Sequence, residues 1–181
     1  MSFLGSRSLL VTLVMTVALV LVPAAPGIAD EGFRTDPRDT PGRLDLRRIG
    51  HAHRGDGGLV HRITTYRRFA SSVLTGRTVV GMVLQDANDF ELRIITIRWR
   101  RDALQAVIYR FDDDGSFLRS GKAEVSRPNR KTLKVVVTED QIGNPSRYLW
   151  RVFSSFRATP RCREEQACFD ETRALRHRLV T

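Results

Sequence analysis

Arg147–Phe156 reads RYLWRVFSSF, and its apolar residues alternate: Tyr148, Trp150, Val152 and Phe156 share one face. A period of two belongs to a strand with one buried side, not to a helix of period 3.6. The same spacing recurs toward the N-terminus. Leu133, Val135 and Val137 alternate in Thr132–Thr138, as do Val80, Met82 and Leu84 in 78–85. Leu59, His61, Ile63 and Thr65 do so in 59–67. Further extended segments are read at 44–53, 90–99, 104–111 and 116–125. In 90–99 the phase switches from Phe90, Leu92 and Ile94 to Ile95, Ile97 and Trp99, which suggests a bulge or burial on both faces.

Turn chemistry separates these runs. Arg54-Gly55-Asp56-Gly57-Gly58 and Asp112-Asp113-Asp114-Gly115 are hairpin signals, because Asp tolerates turn geometry and Gly supplies positive φ. Thr138-Glu139-Asp140-Gln141 resembles a capped start for one helical turn, stopped by Gly143 and Pro145. About eight strands with regular turns predict an all-β fold, an antiparallel β-sandwich of jelly-roll or immunoglobulin-like type. No connection is long enough for crossover helices. At the end, Leu175 and Leu179 stand four apart, which predicts a short C-terminal helix or tail over 171–180.

The N-terminus reads as an address. Arg7 precedes an almost wholly apolar run over 9–22, followed by Pro23 and small residues up to Ala29. This predicts a signal peptide over 1–29 cleaved near Ala29, an extended N-terminal arm over 30–43 and a single domain over 44–181. The run is shorter than the roughly 20 residues of a comfortable membrane span. An uncleaved anchor is the alternative; with cleavage, no transmembrane span remains and a secreted or cell-envelope monomer is expected. Export makes a disulfide the natural reading of Cys162 and Cys168.

Of the 181 residues, 41% are hydrophobic and 28% charged, which excludes a disordered tail or a coiled coil. The net charge of +10 is nearly all arginine, with lysine only at 122, 131 and 134. Basic pairs are spread along the chain: Arg47-Arg48, Arg67-Arg68, Arg100-Arg101, Arg130-Lys131. A basic face suits an anionic wall polymer, an acidic glycan or lipid headgroups. The absence of a single block argues against specific nucleic acid, and a plain solvated arginine surface competes with any binding face.

No Gly-x-Ser-x-Gly or His-Glu-x-x-His occurs, so no catalytic residue is assigned. His51 and His53 share a strand face; a five-residue connection over 54–58 would set His61 opposite His51, whereas a two-residue Asp56-Gly57 turn would shift the register by one and take His61 out of the cluster. Three imidazoles could then face zinc; hydrogen-bonded sheet histidines are the plainer alternative. Asp86, Asn88, Asp89 and Glu91 gather hard oxygens of the kind calcium prefers, without EF-hand spacing. Asp36, Asp39 and Asp45 form a looser third acidic set, after the Asp112–Asp114 turn. Tyr148, Trp150 and Phe156 read as core rather than a sugar platform. Trp99, flanked by Arg98 and Arg100, is the better candidate for a partly exposed ring at a ligand-binding site.

Several stretches resemble a family of exported proteins of high-GC bacteria: Asp36-Pro37-Arg38-Asp39, Gly42-Arg43-Leu44-Asp45-Leu46, His61-Arg62-Ile63-Thr64-Thr65-Tyr66, Ser126-Arg127-Pro128-Asn129-Arg130, Tyr148-Leu149-Trp150, and Cys162 with Cys168-Phe169-Asp170. That family is distantly similar to DOMON and family-9 carbohydrate-binding sandwiches. The resemblance implies a jelly-roll-like scaffold of a kind that binds sugars, haem or calcium. The leading expectation is a non-catalytic envelope module for a glycan or anionic wall polymer. A zinc enzyme built on the histidines and a purely structural secreted domain are the alternatives.

Overall fold

The structure, a computed structural model, describes residues 28–87, 92–112, 114–156 and 168–179. Eleven strands run in chain order: β1 Ile28–Thr35, β2 Leu46–Arg54, β3 Gly58–Thr65, β4 Val79–Asp86, β5 Leu92–Arg100, β6 Ala103–Phe111, β7 Phe117–Asn129, β8 Thr132–Thr138, β9 Arg147–Phe156, β10 Cys168–Glu171 and β11 Leu175–Arg178. Every pairing is antiparallel. The all-β antiparallel expectation therefore stands, and all eight expected strands are present. They are joined by three more, in one sheet ordered β1-β2-β3-β8-β7-β6-β5-β4-β9-β10, with β11 also on β9. The sheet curls into a half-barrel in place of the expected eight-stranded sandwich. Strand β7 produces the curl: its first half pairs with β6, its second half with β8, and register shifts interrupt both ladders.

The curl brings the two ends of the sheet together. β1 approaches β11 and β2 approaches β9. No ladder joins them; side chains close the seam. Arg34 Nη1 donates to the Ala174 carbonyl at 2.8 Å, and Ser154 Oγ donates to the Leu44 carbonyl at 2.8 Å. The enclosed core takes the inward phase of each strand, including Ile49, Leu59, Ile63, Met82, Ile95, Ile97, Val135 and Val152. β5 carries no register shift against either neighbour, so its phase switch reflects an outward Ile94 that is half-buried rather than a bulge.

Both ends of the chain differ from expectation. The arm begins as β1, which pairs with β2. The expected C-terminal helix is instead β10 and β11. Leu175 and Leu179 are four apart, a spacing that fits one helical turn and two strand repeats equally well. The exposed Arg176 and Arg178 between Leu175, His177 and Leu179 complete a strand pattern. The turns are as read: Asp114 N–H donates to Asp112 Oδ1 at 3.0 Å and Gly115 has φ +81°. The expected helical turn is a 3-10 turn over Asp140–Ile142, ended by Gly143 at φ +88°.

Gly42 has φ +131°, and a Cβ there would overlap the Phe156 ring. Gly42→Ala therefore meets backbone strain and a core aromatic together. An expected loss of at least about 2 kcal/mol is readable as a lower urea midpoint.

Candidate functional site

Three groups of chemistry-bearing side chains emerge. The first lies at one end of the seam. The connection from β1 to β2 carries Asp36, Asp39 and Asp45, and β10 supplies Asp170 as its inward residue opposite Ser154. Pro37, Pro41 and Gly42 bend this connection over the sheet edge. Asp36 is anchored through its backbone: its N–H donates to the Arg47 carbonyl at 2.8 Å, and Tyr66 Oη donates to its carbonyl at 2.7 Å. Carboxylate oxygens of Asp36, Asp39 and Asp170 lie within 4.8 Å of one another. Asp36, Asp45 and Asp170 are 7%, 1% and 4% exposed. Asp170 Oδ2 accepts the Leu46 N–H at 2.6 Å. Asp36 Oδ2 and Asp45 Oδ1 are buried with no hydrogen-bond partner among the described residues. Burial, then the charges of Asp170, Asp39 and Asp45, push the Asp36 carboxyl up to about 6, against an opposing Arg173. Asp45 and Asp170 are also raised, in both cases first by burial.

The second group occupies the seam interior. The turn after β2 has the register that sets His51 opposite His61, and His53 opposite Leu59. His51 and His61 are buried; His53 lies nearer the rim, with Nε2 3.4 Å from Glu139 Oε1. Among the described residues the three imidazoles do not form a converged ligand set; the acidic trio is the group that does. His51 and His61 bond to the aromatics of β9 instead. Trp150 Nε1 donates to His51 Nδ1 at 3.1 Å, and His61 Nε2 lies 2.9 Å from Tyr148 Oη. An indole N–H only donates, so His51 Nδ1 is the accepting nitrogen of its ring. Gly32 makes room for the His51 imidazole, which a Cβ would overlap. His177 of β11 packs 4.0 Å from His51, ring to ring. Burial, then His177 and His51, push His61 down to about 3. Burial also raises the Tyr148 phenol.

The third group lies outside. On the outer face of β2, β3 and β8, two adjoining grooves of about 440 and about 490 Å³ share Thr64, Asn129 and Thr132. Arg48 and Arg62 line one; Arg68, Arg130 and Lys131 line the other; among the described residues no Asp or Glu lines either. Phe33, 61% exposed, edges the first groove with the Arg48 guanidinium 4.0 Å from its ring centre. A smaller basic hollow on β5 to β7 holds Arg98, Arg100, Arg119 and Tyr109.

The remaining candidates fare as follows. Trp99 packs against the core and does not join Arg98 and Arg100, because neighbours on a strand face opposite ways. Tyr148, Trp150 and Phe156 are buried, which removes a sugar platform there. Asp86 ends β4, while Asn88, Asp89 and Glu91 lie outside the described residues. Cys162 and residues 1–27 also lie outside them, and Cys168 opens β10. Sequence reasoning missed Asp170, His177 and Phe33. All three stand on the terminal strands β1, β10 and β11, which apolar alternation did not mark. Among the described residues no helix is long and apolar enough to cross a membrane. Comparisons with protein families, curated proteins and solved structures find no match for the chain.

Proposed function

We propose that this is an exported, non-catalytic binding module of the cell envelope that holds an anionic glycan or wall polymer across the outer face of β2, β3 and β8. The observation that carries the reading is the pair of adjoining grooves lined by Arg48, Arg62, Arg68, Arg130 and Lys131, with no acidic residue among the described residues that line them. A chain that merely scatters its arginines has no reason to gather five cations around one continuous depression. Phe33 beside Arg48 adds a ring on which a sugar can stack. The apolar run over 9–22 supports export, and cleavage near Ala29 leaves the Gly32–Thr35 rungs of β1 intact. A Cys162–Cys168 disulfide would tie the segment before β10 and is itself part of this proposal.

The test is retention on purified anionic wall polymer across a salt series. Retention is expected at low salt and lost as salt screens the exposed cations. Substituting Arg48, Arg68 and Arg130 by Ser is expected to weaken binding roughly a hundredfold, at about 1 kcal/mol per basic side chain on an anionic surface. Unchanged retention of that variant would remove this face from the reading.

A further inference from the structure

We infer that Asp36, Asp39, Asp45 and Asp170 form a calcium site that clamps the β1–β2 connection to β10. Two independent observations carry this. The first is convergence: oxygens of Asp36 and Asp39 from one loop, and of Asp170 from a strand more than a hundred residues later, approach within 4.8 Å, with Asp45 in the same loop. The second is that carboxylate oxygens on Asp36 and Asp45, residues more than nine-tenths buried, have no hydrogen-bond donor among the described residues. A buried carboxylate without a donor is costly, and several together add mutual repulsion. The nearby cations are a poor answer to that charge. Arg38 Nε is 3.9 Å from Asp45 Oδ2 and its side chain is 60% exposed; Arg173 acts on Asp36 from a distance.

The donor chemistry selects the ion. All four side chains offer hard oxygen, with no imidazole or thiolate among them, so zinc and copper are poor fits. Calcium accepts six to eight oxygens in flexible geometry, which suits a site assembled from a loop and a strand. Magnesium demands a tight octahedron and keeps most of its water, so four protein carboxylates suit it less. Asp170 Oδ2 already accepts the Leu46 N–H, so an ion held there would fix β10 against the start of β2. The clamp falls where the curled sheet has no ladder of its own.

Thermal unfolding of protein purified from cells making the full chain tests the assignment, with about 10 mM calcium, about 10 mM magnesium, or chelator. If affinity lies in the range of extracellular calcium modules, calcium is expected to raise the midpoint by about 3–10 °C over chelator. Magnesium is expected to give a clearly smaller shift. Asp36→Asn should abolish the calcium shift while melting no lower than wild type in chelator, because it removes one of several crowded negative charges. Asp39→Asn alters an exposed side chain, threatens folding least and should also reduce the shift. Identical melting in calcium and chelator, an equal response to magnesium, or variants that keep the full shift would each overturn the site. Polymer retention at the arginine face is a separate readout, so the two proposals fail independently.

Discussion

Trp150→Ala is expected to cost about 3–5 kcal/mol from packing alone, a large fraction of the total stability of a domain. Trp150 is fully buried in the core cluster. It is also the donor to His51 Nδ1, and its ring lies 4.7 Å from that of His61. The variant therefore opens a cavity and removes a buried hydrogen bond in one step. Trp150→Phe weights the two effects differently: it keeps much of the apolar volume but loses the N–H and part of the indole, with an expected cost of about 1–3 kcal/mol. Urea unfolding curves for the three proteins check both numbers. A Phe variant as damaging as the Ala variant would place the energy in the hydrogen bond rather than in packing.

Acid stability is the second large effect, and it has two opposing parts. His61 is held down to about 3 in the folded chain by burial and by His177 and His51. Unfolded, it titrates near 6.5, so between those values the unfolded chain binds the extra proton. Folding stability then falls by about 1.4 kcal/mol for each pH unit of acidification. Asp36 works the other way. Its folded value of about 6 exceeds the ordinary carboxyl value of 3.8, so across that window the folded chain holds the extra proton and acidification favours folding. Asp45 and Asp170, also raised, act in the same direction. In chelator, Asp36→Asn is expected to lose stability more steeply than wild type as pH drops from about 6 to about 4. Its advantage over wild type at neutral pH should shrink by about 1.4 kcal/mol per unit. His61→Gln, which can still bond to Tyr148, is expected to lose stability less steeply than wild type. Chemical denaturation at a series of pH values measures all three, and parallel profiles would sink the account.

The strands with alternating apolar residues were legible because the pattern is local. Arg147–Phe156 and Thr132–Thr138 match their elements end to end. The His51–His61 register was legible as a consequence of the turn over 54–58, and the structure has that register. The ends of the chain were not. β1, β10 and β11 are short or polar, so apolar alternation did not mark them, although each pairs with a strand close by in sequence. The acidic set was half visible: Asp36, Asp39 and Asp45 cluster in sequence, whereas Asp170 joins them only through the β9–β10 ladder. The basic grooves were invisible as such, since Arg48 of β2, Arg62 of β3 and Arg130 of the β7–β8 turn come near one another only through strand pairing. Trp99 is the partly exposed ring that was expected, but alternation sets it on the side opposite its flanking arginines.

The polar contacts across the seam also have a bearing on alignment. A purely greasy junction between the two margins of the sheet could slip by two residues and still keep its inside and outside faces. This one is keyed. Slippage would part Trp150 from His51, Tyr148 from His61, Asp170 from the Leu46 amide and Ser154 from the Leu44 carbonyl. Each mismatch would strand a polar group in a dry interior. The margins can thus meet in one alignment only, and the cylinder's girth is fixed by its polar teeth rather than by its grease.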